Sequence, residues 1–361
     1  MKINRSAKCA LKYANQSKLK QLDTVLTEYG RVVNCFIDQF WASCPRKGDL
    51  LKPVVDSVDS WFAARMRKVA AREAIDMICA AKKRWGAKAV KPSHRCQRMC
   101  VTSCTASLIP AKHATNFDCW LHLQSIGNKI ILDLPIKRHK QFNRLNSRGQ
   151  RKESYVITRE SVQFCFEIET GPKLLKDKCV GIDTGINALC STSTGEQLGI
   201  DTKPCIERIK RCKHGSKGQK RAVRALQQRM CEVAKEVTDT ATLVVVENLK
   251  GITKGTKLKR RLSKNIRRSI GRWNVRYWLS RLEMTCQDRN VSFRTVGAWY
   301  TSQTCRSCGH VDRKNRSGEE FKCQNCGHTD NADINAAKNI LERFLSGPYG
   351  AGCKPLVDLS T

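Results

Sequence analysis

Two Cys-x-x-Cys knuckles near the C-terminal end constrain this chain more tightly than any other stretch. Cys305/Cys308 and Cys323/Cys326 are separated by fourteen residues, giving C-x2-C-x14-C-x2-C, the short edge of the spacing expected for a four-thiolate zinc ribbon. Each knuckle runs on into Gly-His, at Gly309-His310 and Gly327-His328. A glycine there permits positive φ, so that backbone amides can face the sulfurs. Spacing and glycines repeat together, which a chance cluster in a Cys-rich chain would not do. Four cysteines leave no coordination position open, so the expected ion is one structural zinc and not a catalytic one.

Composition says what such a ribbon would serve. Its 361 residues give room for two or three domains with cores of their own. Lys and Arg outnumber Asp and Glu 67 to 32, a net charge of +35, which points to a polyanionic partner: nucleic acid first, a membrane surface second. No stretch approaches the apolar length that spans a bilayer, and the opening MKINRSAKCALKYANQ lacks the apolar core of a secretory signal. Twenty cysteines would be hazardous in an oxidising compartment. Most sit singly within apolar patterns, as Cys35, Cys79, Cys119 and Cys190 do, where a thiol acts as a small hydrophobe. The expected location is a reducing cytoplasm. No P-loop or dinucleotide fingerprint is present, so no nucleotide-driven step is expected.

Residues Ile3 to Leu11 suit a short strand or an extended entry segment. From Ser17 to Ser43 the apolar residues Leu19, Leu22, Val25, Leu26, Tyr29, Val33, Phe36, Ile37 and Phe40 recur at helical spacing. A second helix is expected from Ser57 to Trp85, with Trp61, Met66, Ala70, Ala74 and Ile78 on one face and Arg65, Arg67, Lys68, Arg72, Lys82, Lys83 and Arg84 around the rest. Those cations suit a solvated face as well as a nucleic-acid surface. The segments Cys100–Leu108, Cys119–Gln124, Lys129–Pro135 and Tyr155–Glu169 read as β, with Gly127-Asn128 as a hairpin turn. Lys137 to Lys140 and Arg144 to Lys152 read as a basic loop between strands. Cys96, Cys100 and Cys104 resemble half a metal site, but no fourth ligand lies nearby, and core or surface cysteines are the better reading.

Beyond residue 170 the pattern changes. Lys178 to Leu189 is an apolar strand carrying Asp183 at its centre, followed by a glycine-bearing turn and a return strand. A carboxylate in a buried strand is costly unless its charge is compensated, and a divalent cation would do that. Ala241 to Leu249 repeats the device, a continuous apolar run ending in Glu247. A basic helix from Cys205 to Glu236 lies between them. From Lys250 to Arg276 there are eleven Lys or Arg and no acid. Trp273, Tyr277, Trp278 and Leu282 follow at helical spacing and suit core packing. Asp333 stands at the start of a last helix. Three acids far apart in sequence, each introduced by an apolar element, could converge at one sheet edge, as two magnesium ions for phosphodiester cleavage require.

The Gly181–Asp183 GID, the VVVENL at Val244–Leu249, the YTSQTC at Tyr300–Cys305, the paired knuckles and the DINAAKNI at Asp333–Ile340 resemble the RuvC-type nuclease of the TnpB family. TnpB proteins are insertion-sequence-encoded and ancestral to the type V CRISPR effectors. The resemblance covers the C-terminal half by motif and the N-terminal half by layout. It implies an α+β multidomain protein: a wedge-like β-barrel at 1–15 and 93–170, a helical recognition insertion at 16–92, an RNase H-like (RuvC) α/β nuclease domain at 171–300 and 331–348, a target nucleic-acid-binding zinc ribbon at 301–330, and a flexible tail at 349–361. Asp183, Glu247 and Asp333 would be catalytic and hold two Mg²⁺, and Cys305, Cys308, Cys323 and Cys326 would hold Zn²⁺. The implied partners are a guide RNA, carried by a monomer or homodimer, and double-stranded DNA cut beside a short flanking motif. Many members carry Asp-Arg-Asp where this chain has Asn331-Ala332-Asp333, so that arginine is missing here. Asp330 competes with Asp333 in a motif count, but only Asp333 keeps the D-x-N-A-A register with Asn335. The stretch from Asp183 to Glu247 is shorter than in many members.

Other readings share these features. A miniature type V CRISPR effector would have the same fold and differ in its neighbouring genes. A nuclease-inactive RNA-guided repressor is disfavoured by the presence of all three acids. A plain zinc-ribbon nucleic-acid-binding protein would leave the two acid-bearing strands without a purpose.

Overall fold

The computed structural model describes residues 2–112, 116–125, 130–171, 178–249 and 274–346. The expected turn at Gly127-Asn128, nearly all of the cationic stretch from Lys250, Trp273 and the expected tail lie outside them. The described chain forms two compact units, meeting in sequence between Glu169 and Thr170. No described helix is long and apolar enough to cross a membrane.

In the N-terminal unit, β1 (Lys2–Ala10) leads into α1 (Gln16–Phe40), α2 (Lys52–Asp56) and α3 (Ala64–Trp85). Asn15 caps α1 by accepting from the Lys18 amide, and eight of the nine expected apolar positions are buried, with Leu19 half-buried. The long second helix expected from Ser57 is corrected: residues 57–63 are irregular, and Trp61 packs edge-on against Phe62 outside any helix. Pro53 starts the short α2 instead. The Tyr29 hydroxyl donates to buried Glu73 at 2.8 Å, tying α1 to α3, and Arg98 reaches the same carboxylate at 2.7 Å.

The remaining elements of this unit are β2 (Arg98–Thr102), β3 (Ala106–Pro110), β4 (Cys119–Gln124), β5 (Ile131–Ile136), α4 (Lys140–Arg148), β6 (Gly149–Thr158) and β7 (Ser161–Glu169). They form two antiparallel sheets, ordered β1-β7-β6-β2 and β3-β4-β5. Two expected strands are therefore divided. Cys100–Leu108 breaks at Ser103 to Thr105, where the chain passes from one sheet to the other, and Tyr155–Glu169 is a hairpin turning at Arg159-Glu160. The expected basic loop at 144–152 is also corrected, since α4 and β6 occupy it. Phe142 and Leu145 anchor α4 in the core, and Phe142 meets Phe164 and Phe166 edge-on at 5.1 and 5.2 Å.

The C-terminal unit is built on a five-stranded sheet in the order β10-β9-β8-β11-β12: β8 (Cys179–Asp183), β9 (Cys190–Thr192), β10 (Gln197–Leu198), β11 (Leu243–Glu247) and β12 (Ser292–Val296). β8, β11 and β12 run parallel, while β9 pairs antiparallel with both β8 and β10. The helices are α5 (Thr202–Arg211), α6 (Lys217–Thr238), α7 (Val275–Asp288) and α8 (Ala332–Ser346). The single basic helix expected from Cys205 is two: Gly215 takes φ +75° and Ser216 caps α6 through the Gln219 amide. Alternation along β11 explains why the run is apolar throughout. Val244 and Val246 pack with α6 and α7 residues such as Met230 and Trp278, while Leu243 and Val245 pack with Ile340 and Phe344 of α8. A small sheet of β13 (Arg316–Ser317), β14 (Glu320–Lys322) and β15 (Thr329–Asn331) carries the knuckles and leads directly into α8.

Candidate metal and nuclease site

The two knuckles adopt one geometry. The Cys305 amide donates to His310 O and the Cys323 amide to His328 O, both at 2.8 Å, while Gly309 and Gly327 donate back to Cys305 O and Cys323 O. Gly309 has φ +74° and Gly327 +72°, the conformation their position requires. The sulfurs of Cys305, Cys308, Cys323 and Cys326 lie within 4.8 Å of one another. The shifts within the cluster are opposed: a backbone hydrogen bond from His310 pulls the Cys308 thiol down, while burial raises Cys305 and hydrogen bonding with the other sulfurs raises Cys326 against its bond from His328. Four converging thiolates could hold zinc. Among the described residues no other set of three or more metal-ligating side chains is so tight, and Cys96, Cys100 and Cys104 do not form one. Cys79 departs from its expected apolar setting: it is exposed, with its sulfur 3.6 Å from that of Cys44.

The three acids come together from three elements. Asp183 is the last residue of β8 and not its centre, and Glu247 is the last residue of the neighbouring strand β11. Ile182 faces Val246 in the parallel register, so the two acids leave adjacent strands side by side. Asp333 is the second residue of α8 and is buried. Asn331 caps that helix, its side-chain oxygen accepting from the amides of Asp333 and Ile334 at 3.0 and 3.2 Å. Ala332 is fully buried against Cys305, Phe321 and Cys323, so the ribbon core abuts the residue beside Asp333. Asp330 is engaged elsewhere, by Lys338 at 2.7 Å.

Gly181 lets α8 approach. A Cβ there would lie 2.3 Å from Ala337 O and 2.8 Å from Leu341 Cβ, so only glycine allows the helix to cross β8 at this depth. Ala337 lies one turn beyond Asp333, and the crossing thereby brings that carboxylate towards the strand ends.

The electrostatics are unbalanced. Burial pushes the Asp183 carboxyl up to about 7, with the charges of Glu247 and Asp333 adding to the effect. Burial also raises Glu247, against the hydrogen bond from the Thr301 hydroxyl and the nearby Arg343 and Arg316. Arg316 Nη2 donates to Asp333 Oδ1 at 2.7 Å. Sequence reasoning missed this guanidinium, which reaches Asp333 from β13, seventeen residues upstream. It also missed the hydroxyl of Thr301, although the YTSQTC stretch contains it. No local spacing signals either contact, because both depend on how the ribbon folds against α8.

Residues 277–340 match the model of the Cas12f1-like TNB domain, a span covering most of α7, β12, the ribbon and Asp333. No curated protein matches the chain. The fold is similar to that of Cas12f1 in a cryo-EM complex with sgRNA and target DNA, at a TM-score of 0.52 and 13% identity over 94% of this chain and 98% of that one. It is likewise similar to the mini-RNA-guided endonuclease CRISPR-Cas_phi3, at a TM-score of 0.58 and 10% identity over 94% and 92%. At these identities the likeness is one of fold. The matched domain is Cas12f1-like and the fold is similar to that of Cas12f1 and of CRISPR-Cas_phi3, in agreement with the resemblance read from the motifs.

Proposed function

We propose that this chain is an RNA-guided endonuclease that cuts double-stranded DNA at Asp183, Glu247 and Asp333. The observation that carries the reading is the convergence of three carboxylates, from positions as distant as 183 and 333, into one cluster whose mutual repulsion helps raise Asp183 to about 7. Such a cluster suits hard divalent cations, and magnesium prefers a few carboxylates with remaining positions left to water and phosphate. The three acids would hold two such ions, which when bound activate the attacking water and stabilise the departing oxygen. The Thr301 hydroxyl orients Glu247, and Asn331 and Gly181 set the depth and direction of Asp333. Arg316 offsets part of the negative charge and presents a cation beside Asp333, where a scissile phosphate would lie.

In this reading the sheet from β8 to β12 with α8 is the RuvC-like, RNase H-like nuclease domain, with the zinc ribbon at 301–330 inserted before its last acid. Residues 1–15 and 93–170 form the wedge-like barrel and 16–92 the recognition insertion. The Cas12f1 neighbour is a complex with guide RNA and target DNA, and the surplus of 67 Lys and Arg over 32 acids suits holding nucleic-acid backbones while base pairing reads sequence. The test is to purify the chain from cells and sequence the RNA that comes with it. A discrete species with a variable 3′ end is expected; the protein arriving with no RNA, or with random fragments, would sink the RNA-guided reading.

A further inference from the structure

Immediately before Thr301 the chain exposes two large aromatic residues in succession, Trp299 at 73% and Tyr300 at 62%. The chain on either side of them is held by α8. On α8, Asn335, Asn339 and Arg343 recur once per turn. Asn335 donates to Thr304 O at 2.9 Å, Asn339 to Thr301 O at 2.9 Å and Thr304 O at 2.7 Å, and Arg343 to Gly297 O at 2.7 Å. The Tyr300 carbonyl accepts from the Gln303 and Thr304 amides and the Thr304 hydroxyl, and Tyr300 itself is held at φ +58°, a conformation that a bulky residue keeps only when its surroundings impose it. The Trp299 ring lies over Gly297, whose added Cβ would stand 3.1 Å from ring carbon Cε3. One face of the ring is thus supported and the side chain is still mostly in water. Two residues on, Thr301 is buried and bonds Glu247. Two residues of chain span at most about 7 Å, so the aromatic pair stands within a nucleotide or two of the acids.

We propose that Trp299 and Tyr300 form a stacking platform for unpaired bases of the DNA strand presented to the carboxylates, fixing which phosphodiester lies there. The proposal rests on the nuclease reading for the identity of the strand. A single exposed aromatic side chain needs no explanation. Two adjacent ones, on a segment pinned at three successive turns of α8 and beside a carboxylate cluster in a chain of net charge +35, match the chemistry of sequence-tolerant single-strand binding, in which base faces stack on rings while cations track phosphates. The platform adds no reacting group; it positions the strand.

The test uses the full chain in an Asp183→Ala background, which measures binding without cutting. A labelled oligothymidylate and an abasic oligomer of equal length are titrated against it. The oligothymidylate is expected to bind about tenfold more tightly than its abasic counterpart. Adding Trp299→Ala and Tyr300→Ala should remove that preference while leaving abasic binding unchanged, and Trp299→Phe should keep most of it. Loss of both affinities together, including in Trp299→Phe, would show that the segment only supports the fold, and an unchanged base preference would show that the bases go elsewhere; either overturns the platform. A wild-type protein that cuts nothing yet shows the Trp299-dependent base preference would count against the nuclease reading while supporting the platform.

Discussion

The ribbon and the carboxylate cluster are both gatherings of acidic ligands, yet they are built in opposite ways. The ribbon is closed: four thiols from two matched turns, separated by fourteen residues, converge so that every sulfur lies within 4.8 Å of the others. Among the described residues the three carboxylates form no group so tight. They are brought together by two parallel strands and the end of a helix, and Arg316 and Thr301 engage two of them. A closed thiolate cage satisfies its ion and keeps substrate out, whereas an open and charge-unbalanced set leaves positions for water and phosphate. In the proposed function that difference separates holding shape from doing chemistry. The two sites nonetheless meet at Ala332, which packs on the ribbon core and precedes Asp333.

The contrast can be broken first at the ribbon, where the largest effect is expected. Changing Cys305 and Cys323 to Ser should reduce bound zinc from one equivalent to none by metal analysis and unfold the ribbon, since metal binding in such modules supplies about 10 kcal/mol or more of folding free energy. Full zinc loading in the double variant would contradict the cage. The second effect lies where the open site depends on packing: Gly181→Ala drives a methyl into Ala337 O and should destabilise the C-terminal unit by about 3 kcal/mol. Its melting temperature should fall and cleavage should fail with the ribbon's zinc still bound.

A smaller effect concerns pH. In chelator, folded Asp183 titrates near 7 against 3.8 for an ordinary carboxyl, so the folded chain holds its proton more tightly. Ionising Asp183 therefore costs stability progressively as pH rises from about 4 to about 7, and the cost is complete above that. The gap corresponds to roughly 4 kcal/mol, which residual water access discounts to about 2 kcal/mol. Asp183→Asn should accordingly raise the melting temperature at pH 8 and leave it unchanged below pH 4. A stabilisation that is larger in acid would have the wrong sign for a carboxyl raised by burial and like charges.

The same contrast explains what the sequence revealed. The four-cysteine cluster was legible because a knuckle is a local device, its ligands and its glycine fixed by spacing alone. The acid-bearing strands were legible as apolar runs closed by a carboxylate, but where the strand ends at Asp183 depends on its partner strands. The break between α5 and α6 was visible in principle, since Ser216 and Gln219 stand in a capping pattern and Gln219 Oε1 accepts from the Gly215 amide at 2.8 Å; the run of basic residues masked it. The division of Cys100–Leu108 was less accessible, because both halves suit a strand and only the sheets they join differ. Arg316 could not be found from spacing. Where the motif resemblance leads one to expect an arginine beside the last acid, this chain has buried Ala332, and the Arg316 guanidinium reaches Asp333 instead.

The central claim is that three distant carboxylates act as one cutting site. It is tested most directly by measuring magnesium-dependent cleavage of a guide-matched duplex by Asp183→Ala, Glu247→Gln and Asp333→Asn, singly and in pairs, alongside guide-RNA binding. Each single change should cut activity by about a thousandfold or more, and the pairs should lose little further, because groups that act as a unit are not additive; RNA binding should survive throughout. Near-wild-type cutting by any one of the three, or independent losses that multiply in the pairs, would contradict the account.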